Sequence, residues 1–145
     1  LYGAVGADTL NGQGGEDREA LTSPNIIVTG WVPPQEARKL VTSSNLYLST
    51  SQYEGLSFSV LEALALKRTV LLKDCVGNRD IVRKGLNGDL FQNGQEAMVK
   101  IFQYFNNPDM LRVMGEYSRR LCREEFDAHA TSNLYRDLYQ RGEFY

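Results

Sequence analysis

Short apolar runs alternate with longer amphipathic stretches over the first two thirds of the chain, and only amphipathic stretches follow. Asn25–Thr29, Asn45–Ser49 and Thr69–Lys73 are β-branched or leucine-rich runs bounded by turn residues, the pattern of buried strands. Leu1–Gly6 reads as a further short strand ending in glycine, and Asp89–Phe91 as a last one. Between them, Ala7–Gly15 is rich in Gly, Asn, Gln and Asp and reads as a loop. Glu16–Leu21 has room for two helical turns. Pro33 and Pro34 open a helix that Glu36–Val41 continues, because proline has no N–H to waste in a first turn. Ser57–Leu66 and Arg79–Lys84 are the next two helices, the second stopped by Gly85 as a left-handed cap.

From Gln95 onward the pattern predicts helix throughout. Ala97, Val99, Ile101, Phe102 and Phe105 form one apolar stripe, and Met110, Met114, Tyr117, Leu121 and Cys122 a second. Leu134, Tyr135, Leu138 and Tyr139 form a third, and stripes at this spacing are expected to pack into a core. Strands alternating with helices imply an α/β fold: a Rossmann-like parallel sheet with helices on both faces and a helical carboxy-terminal end. Ligands of such sheets bind outside the carboxyl ends of the strands, here the loops after Gly6, Thr29, Ser49 and Lys73.

Composition narrows the chemistry. The length of 145 residues suits one domain, and 42% apolar residues suffice for a core. A net charge of −2 offers nothing to nucleic acid. No apolar run approaches the roughly 18–20 residues of a membrane span, and Leu1–Gly6 is too short for a secretion signal. Cys75 and Cys122 are far apart and read as reduced thiols, and the single histidine, His129, builds no metal cluster. No metal and no cofactor is therefore expected. A dinucleotide-dependent oxidoreductase needs G-x-G-x-x-G after a strand, which neither Gly3–Ala7 nor Gly12–Gly15 supplies.

The loop after Ser49 carries the most chemistry. Glu54 lies between strand and helix, Gly55 lets the backbone turn, and Ser57 is a good N-cap residue. The free N–H groups of that helix start favour an anion such as a diphosphate. Glu62 follows in an almost wholly apolar stretch, Val60 to Leu66. A carboxylate there is costly unless paired or solvated, so it sits on an exposed face, pairs with Lys67 or Arg68, or meets a ligand.

Glu54 and Glu62 stand at E-x7-E spacing, and the segment Glu-Gly-Leu-Ser-Phe-Ser-Val-Leu-Glu-Ala-Leu resembles the signature of GT-B retaining glycosyltransferases of family 4. The flanks agree: Asn25–Val32 resembles the family's strand ending in a Gly-x-Val turn, and Asp74–Val82 with Gly85 and Gly88 resembles the segment after the next strand. Leu134–Leu138 resembles the final helix. Residues 1–145 would then be a single donor-binding domain, part of a GT-B carboxy-terminal domain. By resemblance, Glu54 is the catalytic-site carboxylate that bonds donor-sugar hydroxyls, and the backbone around Gly55, Leu56, Ser57 and Phe58 holds sugar and diphosphate. Glu62 would accept from the ribose hydroxyls, and Gly30 and Val32 would touch the base through their backbone. The resemblance implies a UDP- or GDP-linked sugar as substrate, retention of anomeric configuration and no metal, with the leaving phosphate helping to deprotonate the acceptor. The protein's share is then electrostatics and positioning.

Three departures accompany the resemblance. Lys67-Arg68-Thr69-Val70-Leu71 stands where the family has Gly-x-Pro-Val-Val, at a cost of about 1 kcal/mol for the missing cap glycine. Leu1–Gly6 matches the family's second strand, so the first strand and its Arg/Lys loop would precede Leu1. The sequence assigns the diphosphate to none of Arg79, Lys67 and Arg68. The amino-terminal acceptor domain has no room in this length. A missing central strand leaves sheet edges to be filled by another segment, another chain or a homodimer contact.

Two readings follow. The first is the donor domain of a hexosyltransferase for bacterial surface polysaccharide, resting on Val76–Asp80, cytoplasmic and touching the membrane peripherally only as part of the full enzyme. The second is a nucleotide-sugar-binding or interaction module with no turnover alone. The sugar, the base and the acceptor are not legible.

Overall fold

The structure, a computed structural model, describes residues 25–141. Its elements are α1 (Pro34–Ser43), β1 (Leu46–Ser49), α2 (Phe58–Ala65), β2 (Thr69–Lys73), α3 (Val76–Ile81), β3 (Gly88–Phe91), α4 (Gly94–Phe105), α5 (Pro108–Glu125) and α6 (Ala128–Arg141). The three strands form one parallel sheet in the order β1-β2-β3. Leu46 pairs with Thr69 and Ser49 with Leu72, while Val70 pairs with Gly88 and Lys73 with Phe91. This is the expected α/β fold. The expectations for Leu1–Gly6, Ala7–Gly15 and Glu16–Leu21 fall outside the described residues.

β2 is central, and Thr69 to Leu72 are wholly buried. A run of apolar residues with no polar alternation is what a strand covered on both faces requires. On one face Tyr47, Val70 and Leu72 meet Val60, Ala63 and Leu64 of α2 and Ile81 and Val82. On the other, Leu71 and Phe91 meet Ala97 and Tyr104 of α4 and Met114 of α5. Burying each such leucine contributes roughly 1.5–3 kcal/mol. α5 also packs along α2, closing the end of the sheet opposite the strand tips. There Thr69 Oγ1 donates to the Leu111 carbonyl at 2.8 Å.

Several expectations shift. Asn25–Thr29 is not a strand: it runs irregularly, with Ile27 and Val28 exposed by 63% and 67%. β-propensity cannot make a strand without a ladder partner, and among the described residues none lies beside it. The helix expected at Arg79–Lys84 lies earlier, at Val76–Ile81. Gly85 does not cap it; with φ 74° it turns the chain between α3 and β3, its amide donating to the Gly88 carbonyl at 3.0 Å. The helix ends instead because Asn87 Oδ1 takes the Arg83 amide at 2.7 Å.

The three carboxy-terminal stripes are core only in part. On α4 the buried residues are Ala97 and Tyr104, while Val99, Phe102 and Phe105 face outward. Tyr104 goes in because its hydroxyl finds Asp89 Oδ2 at 2.7 Å. On α5, Met114 and Leu121 are buried with the small Gly115 and Ser118, while Met110 is 39% exposed. On α6, Tyr135, Leu138 and Tyr139 are all exposed. No described helix is long and apolar enough to cross a membrane.

Candidate functional site

The loops after β1 and β2 both leave the sheet at its carboxyl end, and a cavity of about 480 Å³ opens between them. The loop after β1 contributes Gln52, Tyr53, Glu54 and Gly55, and the segment after β2 contributes Asp74, Cys75, Val76 and Arg79. A larger cavity, about 670 Å³, lies by Leu46 at the amino end of β1 among Ile101, Phe105 and Leu111. That cavity sits away from the strand tips and from Glu54, so the smaller one is the candidate site.

The two loops are locked together through backbone. The Gly77 amide donates to the Glu54 carbonyl at 3.2 Å. A Cβ on Gly77 would lie 1.7 Å from the Gly55 carbonyl oxygen, so only glycine lets α3 approach this closely. Glu54 itself is half-buried, with its neighbours Tyr53 and Gly55 exposed.

Ser57 takes the N-cap position of α2 in extended conformation, as expected, but its side chain makes no capping bond. Its hydroxyl lies 3.1 Å from Ser59 Oγ instead. Glu62 is exposed, and it pairs with neither basic candidate. Lys67 Nζ binds Glu116 Oε1 at 2.7 Å, and Arg68 binds the carbonyls of Leu66 and Ser44.

Tyr47 connects the two glutamates. It is buried on β1, and its hydroxyl hydrogen-bonds Ser59 on the first turn of α2. Burial pushes its pKa up, the Ser59 bond opposes this, and the charges of Glu54 and Glu62 push it up further. The charges of both carboxylates thus bear on one phenol, and along the chain the start of α2 falls between them. Leu56 and Phe58 are exposed by 52% and 80%. Gly30 has φ 64° and is exposed, and Val32 is half-buried; neither lines the cavity, nor do Ser57, Phe58 and Glu62.

The residues after β2 form a polar brace that sequence reasoning did not single out. Arg79 Nε donates to Asp74 Oδ1 at 2.5 Å, and Gln92 Nε2 to Asp74 Oδ2 at 2.6 Å. The Arg79 bond holds the Asp74 carboxyl below the usual range, and Asp74 raises Arg79 in turn. The signal was present as Asp74 and Arg79 flanking the start of α3, but the helix was expected three residues later, which hid it. Asn78 is buried beneath, its Nδ2 donating to the Lys73 carbonyl at 2.8 Å. Among the described residues no group of three or more His, Cys, Asp or Glu side chains is placed to hold a metal.

Chemically, this arrangement offers carboxylate acceptors for hydroxyls, one guanidinium and a helix start beside an open cleft. Comparison with known proteins shows the family. Residues 15–121 match the family described as glycosyl transferases group 1. The alpha-galactosylglucosyldiacylglycerol synthase of Streptococcus pneumoniae is 28% identical over 81% of this chain and 30% of its own length. The poly(ribitol-phosphate) alpha-N-acetylglucosaminyltransferase of Staphylococcus aureus is 28% identical over 79% of this chain and 24% of its own. A variant of S. aureus TarM, solved in complex with Fondaparinux, alpha-GlcNAc-glycerol and UDP, superposes with a TM-score of 0.72. It is 28% identical over 86% of this chain and 25% of that one. The chain thus spans about a quarter to a third of the length of these relatives. With the match covering most of its length, the chain belongs to the group 1 glycosyl transferases and has the fold of the carboxy-terminal domain of a GT-B enzyme.

Proposed function

We propose that this chain is the donor-binding part of a retaining glycosyltransferase that moves a hexose from a UDP- or GDP-sugar to a glycan or lipid-linked acceptor in bacterial surface polysaccharide synthesis. The observation that carries the reading is the placement of Glu54 and Glu62 on either side of one helix start, the first half-buried and the second exposed, at the carboxyl end of a parallel sheet. Glu54, beside the cavity, accepts from hydroxyls of the sugar. Glu62, exposed and unpaired with Lys67 or Arg68, accepts from the two ribose hydroxyls. The free amides of the first turn of α2 complement the diphosphate, aided by the lack of a side-chain cap at Ser57. Gly55 to Phe58 supply backbone to sugar and phosphate, and Gly30 and Val32 belong to the base once the donor is bound.

Chemistry then follows from position. The sugar's bond to the leaving phosphate breaks while the acceptor attacks from the same face, and the phosphate oxygen receives the acceptor proton. The protein holds the reacting groups and stabilises developing charge. The surface-polysaccharide role is supported by the names of two relatives, a glycolipid synthase and a poly(ribitol-phosphate) glycosyltransferase, both bacterial. The chain spans about a quarter to a third of these relatives' length, and on this reading it binds donor without transferring it alone.

Calorimetry with UDP- and GDP-sugars tests the reading. One nucleotide series should bind, and Glu62→Ala should weaken it at least tenfold, a loss of about 1.4 kcal/mol. Undiminished binding by a folded Glu62→Ala chain removes the ribose role, and no binding by the parent chain removes the donor reading.

A further inference from the structure

Among the described residues Arg79 is the cavity's single cation, set among the carboxylates Glu54 and Asp74. Its contact with Asp74 uses Nε alone. A guanidinium carries five N–H donors, and among the described residues the two Nη atoms have no partner. The side chain is 60% exposed, so this edge is open to whatever enters.

Asp74, by contrast, has a partner on each carboxylate oxygen. One oxygen takes Arg79, the other takes Gln92, and its amide donates to the Phe91 carbonyl at 2.9 Å. It is a fixed anchor for the guanidinium. Arg79 is also fixed against Glu54: it lies two residues beyond Gly77, whose amide holds the Glu54 carbonyl and whose missing Cβ sets the spacing. The cavity therefore presents an acceptor carboxylate and a pinned, half-used guanidinium at a defined separation. Without Arg79 its wall would carry two carboxylates and repel any anion.

We propose that Arg79 is the anion-binding residue of this cavity, its Nη edge taking an anionic oxygen of the donor, with Asp74 as its positioning residue. The inference rests on the donor-binding reading above. The oxygen has two sources, the diphosphate or a carboxylate on the transferred sugar, and both present the planar or forked acceptor that arginine matches.

The test titrates UDP and GDP into the 145-residue chain and its variants, then the glucose and glucuronate esters of whichever nucleotide binds. The variants are Arg79→Gln, Arg79→Lys and Glu62→Ala, each checked by thermal unfolding. If the diphosphate is the source, Arg79→Gln weakens the bare nucleotide about tenfold or more and flattens the salt dependence of binding. If the sugar carboxylate is the source, Arg79→Gln leaves the nucleotide and the glucose ester unchanged and weakens the glucuronate ester by a similar factor. In either case Arg79→Lys restores part of the affinity, because it keeps the charge and loses the fork. An Arg79→Gln chain of native melting temperature that binds every ligand like the parent overturns the inference. If Glu62→Ala weakens binding and Arg79→Gln does not, Arg79 fails and the donor reading stands. If the parent binds no nucleotide, both fall.

Discussion

Lys67 has a φ of 61°, a conformation in which a lysine Cβ crowds its own carbonyl. It sits just past α2, with its amide on the Leu64 carbonyl at 2.9 Å and the Arg68 amide on the Ala63 carbonyl at 2.9 Å. These two bonds make the left-handed helix termination that glycine normally serves, at the position where the family pattern has its glycine. The turn survives the substitution because the backbone bonds and the sheet behind it fix the path. Lys67→Gly, made in a Glu116→Gln background to remove the surface ion pair, should stabilise the chain by about 0.5–1 kcal/mol in urea unfolding. A loss of stability would mean that glycine's greater freedom when unfolded outweighs the relief. Gly77 behaves in the opposite sense. Gly77→Ala places a methyl against the Gly55 backbone and should cost about 1–3 kcal/mol, while also displacing Glu54 and weakening nucleotide binding. Full stability with full binding would show that the contact yields freely. Of these residue-scale facts, the cap departure was legible from Lys67-Arg68, because caps are local. The Gly77 contact was not, because it joins two loops that are distant in sequence.

Elements built from continuous apolar runs were read nearly in place. The expected Asn45–Ser49 strand lies at Leu46–Ser49, and Thr69–Lys73 is unchanged. Both have ladder partners, so local preference and tertiary pairing agree. Asn25–Thr29 has the same preference and lacks the pairing, and preference alone did not suffice. α3 was misplaced because its start, Val76-Gly77-Asn78, has poor helix propensity; it is helical because Gly77 and Asn78 dock on the Glu54 loop and on Lys73. The segment that makes the site was thus legible at Glu54 to Glu62, while its far wall was not. That wall has a pH signature. The Arg79 bond depresses the Asp74 pKa, so the pair's contribution is present above the unfolded carboxyl value of about 3.9 and is lost as pH falls through the lower folded value. Glu116 and Asp127 are depressed too, through Lys67 and the Ala130 amide, so the acid limb has several sources. Asp74→Asn should make that limb shallower in urea midpoints measured from pH 6 downward. A limb of unchanged slope would mean that Asp74 is as free in the folded chain as in the unfolded one.

At the scale of the whole molecule, the described residues leave one flank of the sheet uncovered. β1 is an edge strand with no partner on its outer side among the described residues. α4, which packs on β3 and α5 and whose Phe105 shares a cavity with Leu46 at the start of β1, turns Met98, Val99, Phe102 and Phe105 outward, with exposures of 71%, 58%, 68% and 71%. Helical periodicity correctly marked the helix but not which of its faces is buried, because Tyr104 outcompetes the phenylalanines by reaching Asp89. Apolar side chains clustered on one helix face and an unpaired strand edge each favour association. The 145-residue chain should therefore show a mean mass that rises with concentration in sedimentation or light scattering. Phe102→Glu with Phe105→Glu should suppress that rise, since two carboxylates on the patch cannot be buried cheaply against another copy. Because both rings are mostly exposed, the double change should alter urea stability by less than about 0.5 kcal/mol. It should also leave nucleotide binding intact, because neither residue lines the cavity by Glu54. A parent chain that stays monomeric at high concentration would place the flank's apolar surface out of reach of other molecules. A marked loss of stability in the double variant would instead make those rings part of the core, as their spacing in the sequence first implied.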